Sequence, residues 1–215
     1  MDLFENDLLV NISDGAFLLR GFALQGEVQT LTDLRHILKH SVLRHMVTPG
    51  GFTMSVAMTN CGDLGWVSDR KGYRYSALNP VTAEPWQAMP ASFLTLARAA
   101  AHAAGFANFV PDACLINQYK NAAKMSLHQD KDEKDFGQPI VSVSLGASAT
   151  FLFGGQKRSD KPTKILLQHG DVVVWGGKSR LNYHGIMPLR AAHTQTNGLA
   201  AFAPCRFNLT FRKAV

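Results

Sequence analysis

From residue 112 onward, apolar and polar positions alternate with a period of two in short runs: DACLINQY, PIVSVSLG, ATFLFGG, KILLQ, DVVVW and RFNLTFR. Turn signals separate them, among them Phe153-Gly154-Gly155, His169-Gly170-Asp171 and Gly176-Gly177. Successive side chains of a strand point to opposite faces, so each run predicts a strand with a buried side. Several short strands at this spacing, with no helical pattern between them, predict an antiparallel sandwich or jelly roll rather than βαβ units. Two other segments carry the helical period. Within residues 24–40, Leu24, Val28, Leu31, Leu34 and Leu38 fall three and four apart on one stripe, which predicts a surface helix. In MPASFLTLARAAAHAAG, Pro90 and Ser92 supply start signals, Phe93, Leu96, Ala97 and Ala100 recur at helical spacing, and Gly105 can end the helix. The expected class is mainly β with flanking helices.

Between the helices, residues 47–87 hold Gly50, Gly51, Gly62, Gly65, Gly72, Pro80 and Pro85 among exposed-looking aromatics, without a sustained period. Such a glycine-punctuated stretch reads as a lid or binding surface. The 215 residues suffice for one domain with its own core. That domain divides into an amino-terminal extension and helix (about 1–46), the lid (about 47–87) and a β core (about 112–213). Cys61, Cys114 and Cys205 are widely spaced, odd in number and without CxxC pairing, which points to free thiols in a reducing compartment. The amino terminus is acidic where a signal peptide would be basic, and no apolar run approaches bilayer length. A cytoplasmic protein without membrane contact is expected. The excess of 22 Lys+Arg over 16 Asp+Glu would attract a polyanion such as nucleic acid, a property many basic proteins share without binding one.

The candidate chemistry centres on HQD, His128 to Asp130, and the distant His184. In an extended stretch, residues two apart share a face, so His128 and Asp130 can meet one metal while Gln129 points away. Two imidazoles and one carboxylate leave three octahedral positions open, the ligand set of non-haem iron(II) that must bind a cosubstrate and oxygen. HxD by itself also describes a solvated loop pair. His193 competes with His184 for the third place, but His184 follows the strand DVVVW and its glycines, whereas His193 lies in an irregular polar segment. His36, His40, His45, His102 and His169 read as surface or satisfied core residues. The acidic run Asp130, Asp132, Glu133, Asp135 lacks the EF-hand spacing and places Asp132 near the metal or a substrate. In CRFNLTFR, Phe207, Leu209 and Phe211 alternate with Arg206, Asn208, Thr210 and Arg212. The polar face is either wet or turned inward, where guanidinium forks would meet a dicarboxylate.

In this order, HQD, His184 and RFNLTFR resemble the AlkB family of iron(II)/2-oxoglutarate dioxygenases. The likeness runs from about Val47 to Arg212, through VTPGGFTMSVAMTNCG, PDACLINQY, LHQDKDE, PIVSVSLG, HGDVVVWGG, SRLNYHGI and CRFNLTFR. The resemblance implies a double-stranded β-helix (jelly roll) that uses Fe(II), 2-oxoglutarate and O2. His128, Asp130 and His184 match its metal triad. Asn117, Tyr119, Arg206, Asn208 and Arg212 match its 2-oxoglutarate site, with Arg206 on the distal carboxylate and Arg212 near the chelating end. Residues 47–87 become a nucleotide-recognition lid, in which Trp66 and Tyr73 match lid aromatics that spacing alone would assign to the core. Thr48 to Phe52 and Met54 to Met58 match nucleotide-gripping segments, Asp132 an acidic group near the exocyclic amine, Arg158 a group near the base or phosphate, and Trp175 a residue lining the site. The implied activity is oxidative dealkylation of N1-methyladenine and N3-methylcytosine, with release of formaldehyde. The implied partners are alkylated single-stranded DNA, with double-stranded DNA and RNA as further candidates, and the implied state is monomeric. One departure is a longer segment between His184 and Arg206.

Overall fold

The computed structural model describes residues 9–190 and 205–215. Fourteen strands and two α-helices make up these residues: β1 Leu9–Ser13, β2 Ala16–Leu19, α1 Glu27–His40, β3 Arg44–Val47, β4 Thr53–Gly62, β5 Gly65–Asp69, β6 Gly72–Ser76, α2 Ala91–Ala103, β7 Ala113–Tyr119, β8 Met125–His128, β9 Ile140–Gly146, β10 Ala149–Phe153, β11 Thr163–Leu167, β12 Val172–Trp175, β13 His184–Ile186 and β14 Arg206–Arg212. A major antiparallel sheet runs β1-β2-β12-β9-β14-β7-β4-β3, a minor sheet β11-β10-β13-β8, and β5 with β6 forms a separate hairpin. The period-two runs of the sequence are all strands, and their arrangement in two antiparallel sheets is the expected jelly roll. Among the described residues no helix is long and apolar enough to cross a membrane.

Alternation along the major sheet builds two cores. One face carries Cys114, Ile116, Val141, Val143, Val172, Val174, Phe207, Leu209 and Phe211, and the helices cover it with Leu31, Leu34, Ile37, Phe93, Ala97, Ala100 and Ala101. The alanines of α2 let that helix lie close to the sheet. The other face carries Val56, Met58, Leu115, Tyr119, Val173 and Trp175, which pack against Phe151, Phe153, Leu167 and Ile186 of the minor sheet. Towards one end of this second layer the apolar residues give way to polar ones, and there the site forms.

Three local expectations are revised. The stripe expected from Leu24 to Leu38 is rotated: residues 22–26 form a 3-10 turn, α1 starts at Glu27, and Val28 is 81% exposed while Ile37 is buried. Leu24 closes on the turn at Gly170 instead, where an added Cβ would meet its side chain. Residues 9–19, read only as part of an extension, form a hairpin that extends the major sheet beside β12. Its Asp14-Gly15 turn, with Gly15 at φ 81°, was the available signal. Finally, the stretch 47–87, read as a lid or binding surface, contains a core strand, because β4 inside it pairs with β7 and is buried from Val56 to Gly62. Cys61 and Cys114, far apart in sequence, are register partners across those two strands and remain free thiols.

Phe93 of α2 meets Phe211 of β14 edge-on, with centroids 5.8 Å apart and planes at 88°, and neither ring is exposed. Phe93→Ala is expected to lower unfolding free energy by about 3–5 kcal/mol, read from the denaturant midpoint.

Candidate active site

His128 ends β8, His184 begins β13, and the two are cross-strand partners in the minor sheet. Gly185 permits that approach, since a Cβ there would lie 2.7 Å from the Met125 carbonyl oxygen. Asp130 stands two residues beyond β8, outside the strand, yet the three ligand atoms lie within 4.8 Å of one another. His128 Nε2 is 3.6 Å from Asp130 Oδ1, and His184 Nε2 is 3.8 Å from Asp130 Oδ2. Each Nδ1 lies against a backbone carbonyl, that of Ser126 at 2.8 Å and that of Asn182 at 3.0 Å. With Nδ1 as donor, both Nε2 lone pairs are left for a metal. Burial, helped by His128, lowers the His184 pKa to about 4, so its ring is neutral at pH 7. Burial alone would raise the Asp130 pKa, but the Arg212 guanidinium outweighs it and keeps the carboxyl ionised. Two imidazoles and a carboxylate converging in this way fit iron(II).

Behind the triad lies an inner cavity whose floor is the polar face of β14. Arg206, Asn208, Thr210 and Arg212 all line it, together with Asn117, Tyr119, Ser142, Trp175 and His184. Register explains the grouping: Arg206 stands opposite Tyr119, Asn208 opposite Asn117, and Thr210 opposite Ser142. Asn208 donates to Ser142 Oγ at 2.8 Å and accepts from Thr210 Oγ1 at 2.9 Å. Arg206 is 1% exposed, stacks 4.9 Å above the Tyr119 ring and donates from Nη2 to Ser144 Oγ at 3.1 Å. Among the described residues its Nε and Nη1 have no hydrogen-bond partner, nor has Asn117 Oδ1. A buried guanidinium with free donors is costly unless an anion completes it, so the cavity fits a carboxylate-bearing cosubstrate. Ser142 and Ser144 were missed in the sequence, although Ser-x-Ser at alternate positions of VSVSLG would have marked a polar inward face.

In front of the triad, a cleft of about 800 Å³ gathers Thr48, Met58, Trp66, Tyr73, Asp132 and Arg158 with His128, Asp130 and Arg212. Every residue expected at the substrate is therefore on one surface. Trp66 and Tyr73 stack with centroids 5.5 Å apart and planes at 15°. Trp66 Nε1 donates to Asp132 Oδ2 at 2.7 Å, which ties the β5–β6 hairpin to the segment after Asp130. Within the hairpin, Arg74 grips Asp69 through two hydrogen bonds and draws its pKa down to about 2. Phe52, from the expected gripping segment, is 77% exposed at the rim, whereas sequence reasoning gave no role to Tyr183, over which Arg158 sits at 5.9 Å.

Arg212 donates from Nε and Nη2 to Asp130 Oδ2 at 3.0 and 2.7 Å. The guanidinium expected near the chelating end of the cosubstrate thus also holds the metal carboxylate. Glu133 lies 3.4 Å from Arg212 Nε and accepts from Arg180 Nη2 at 3.1 Å, while Arg180 Nη1 donates to the Asp130 carbonyl at 2.7 Å. Two carboxylates and two guanidiniums balance in this buried cluster. Glu133 and Arg180 carried no distinguishing sequence signal. His193 and the longer segment before Arg206 lie largely outside the described residues.

The description "2OG-Fe(II) oxygenase superfamily" belongs to a family model that matches residues 15–212. The chain is 57% identical over 204 residues to the alpha-ketoglutarate-dependent dioxygenase AlkB of Escherichia coli (strain K12), covering 94% of this chain and 92% of that protein. It is 42% identical over 170 residues to the AlkB homolog of Caulobacter vibrioides (strain NA1000 / CB15N), covering 78% and 72%. The solved structure of OsALKBH1 superposes with a TM-score of 0.81 at 31% identity, covering 95% of this chain and 99% of that one.

The buried His184 makes the metal-free protein sensitive to acid. Below pH 6.5 an unfolded histidine takes up a proton that the folded one refuses until about pH 4. Stability is therefore lost as pH falls through this window, by at most about 3 kcal/mol. Denaturant titrations of the metal-free protein between these pH values should show a steeper loss in wild type than in His184→Leu.

Proposed function

The chain belongs to the AlkB family of the 2OG-Fe(II) oxygenase superfamily, and on that premise we propose that this dioxygenase removes alkyl groups from N1-methyladenine and N3-methylcytosine in DNA, and in RNA. The observation that carries the reading is that the inner cavity and the outer cleft share His128, Asp130 and Arg212 as a common wall. A dicarboxylate on one side and a base on the other would then meet at one metal.

His128, Asp130 and His184 would hold the iron. When bound, iron(II) with 2-oxoglutarate and O2 supplies the oxidising power to hydroxylate the alkyl carbon on the base nitrogen, yielding succinate, carbon dioxide and, from a methyl group, formaldehyde. The chain's own residues bind and orient. Arg206 pairs with the distal carboxylate of 2-oxoglutarate while its stack on Tyr119 fixes the guanidinium plane, and Asn117 and Asn208 complete the cavity wall. Arg212 keeps Asp130 ionised and directed at the metal.

Trp66, backed by Tyr73, offers an aromatic face to the base, with the His128 imidazole on the other side. N1-methyladenine and N3-methylcytosine are cationic, so an aromatic face and the Asp132 carboxylate favour them over neutral bases. Their alkyl groups sit on the pairing edge, so the base must leave the duplex or come from a single strand. Thr48 and Met58 shape the cleft, and Lys124, Lys131 and Arg158 at its edge would hold phosphates, which makes affinity fall with salt. A monomer suffices, because every group named comes from one chain.

Incubated with iron(II), ascorbate and 2-oxoglutarate, the protein should release formaldehyde from a single-stranded oligonucleotide bearing N3-methylcytosine and none from the unmodified strand. Absence of release from both methylated DNA and methylated RNA would reject the assignment. Arg206→Met removes a charge-assisted contact and should raise the KM for 2-oxoglutarate between about ten- and hundredfold. Initial rates of succinate formation provide the check.

A further inference from the structure

The β5–β6 hairpin is fastened to the metal-ligand segment at two adjacent residues. Trp66 and Tyr75 face each other across the hairpin as register partners. Trp66 reaches Asp132, and the Tyr75 hydroxyl donates to Glu133 Oε1 at 2.5 Å. Asp132 and Glu133 both border the cleft, but Glu133 is 6% exposed and its carboxylate meets Arg180 and Arg212. From Glu133 the path continues through Arg212, at 3.4 Å, to Asp130 Oδ2, at 2.7 Å. A second branch runs through Arg180 to the Asp130 main-chain carbonyl. Asp130 is thus held through both its carboxylate and its peptide by groups that share Glu133.

We propose that Tyr75 and Glu133 are positioning residues that couple the hairpin to Asp130, so that seating a base against Trp66 adjusts the metal carboxylate. The inference rests on the base-dealkylation reading and adds a link between substrate occupancy and ligand geometry. If Glu133 only neutralised two arginines, those ion pairs would suffice and the tyrosine hydroxyl would be dispensable. Among the described residues, the hydroxyl makes the one hydrogen bond to the cluster that comes from the hairpin. A charge-assisted O–H···O bond of this length is strong and directional, so hairpin displacement is passed on rather than absorbed. The burial that also raises the Tyr75 pKa keeps the phenol protonated as the donor.

Tyr75→Phe deletes the link and keeps the ring. The cobalt(II)-loaded protein with 2-oxoglutarate, kept without oxygen, is titrated with a single-stranded oligonucleotide bearing N3-methylcytosine. In wild type the cobalt d–d absorption should change as the oligonucleotide binds. In Tyr75→Phe the oligonucleotide Kd should stay within about threefold while most of that change disappears, and with iron the ratio of succinate to formaldehyde should rise at least about fivefold. A spectral response and product ratio equal to wild type would overturn the coupling.

Wild type supplies a second measurement that needs no variant. The Arg180 Nε–H, which donates to the Gln138 carbonyl at 2.9 Å and belongs to a residue outside the cleft, should shift in the NMR spectrum of the zinc-loaded protein when the oligonucleotide binds. Binding without that shift refutes the link even if Tyr75→Phe does not fold. A wild type that binds no methylated oligonucleotide overturns the substrate assignment and the coupling together, whereas binding without a response overturns the coupling alone.

Discussion

A carboxylate that must stay charged while buried is the constraint around which this molecule is arranged. Asp130 is 9% exposed, and desolvation of an ionised carboxyl costs several kcal/mol unless it is repaid nearby. Arg212 does so with two hydrogen bonds to one oxygen, and the opposite charge keeps the acid deprotonated. Arg212 is buried in turn and shares Glu133 with Arg180. The metal centre is therefore the outer edge of a charge cluster that joins β14, the segment after β8 and the turn before β13.

The same strand solves a second problem. β14 is buried along its whole length, on both faces, yet carries two arginines, an asparagine and a threonine. Its apolar side is sealed by the helices, and its polar side is tolerable only because β7 and β9 supply Asn117, Ser142 and Ser144 in register. Where that supply stops among the described residues, at the free donors of Arg206, the cavity is left fit for a carboxylate. Folding and cosubstrate binding thus draw on one alternation of residue types.

The hairpin differs in kind. Among the described residues its strands pair only with each other, and its Arg74–Asp69 ion pair is solvent-accessible and of little weight in stability. Its position over the cleft depends on contacts such as Trp66 to Asp132 and Tyr75 to Glu133. At its base β5 is anchored, with Val67 and Ser68 buried and hydrogen bonds to Asn60 and Val47, whereas β6 is the more exposed strand.

By itself the sequence determined six of the strands after residue 112, the second helix, the alternation of the last strand and the family, because alternation and the order of HQD, His184 and RFNLTFR are written locally along the chain. The short β8 and β13 and the inward turn of the polar face were decided by the tertiary structure. The sequence did not reveal β4, since a strand buried on both faces loses its alternation. Nor did it orient α1, because the choice between Val28 and Ile37 as buried residue depends on where a preceding 3-10 turn lets the helix begin. The triad shows the division most clearly. Residue types and order named His128, Asp130 and His184, but only pairing of β8 with β13 sets the two imidazoles side by side, and only Arg212 from the opposite sheet holds Asp130 charged between them. Glu133, Arg180 and Tyr75 were illegible for the same reason: their significance lies in contacts between segments far apart in the chain, which no local pattern records.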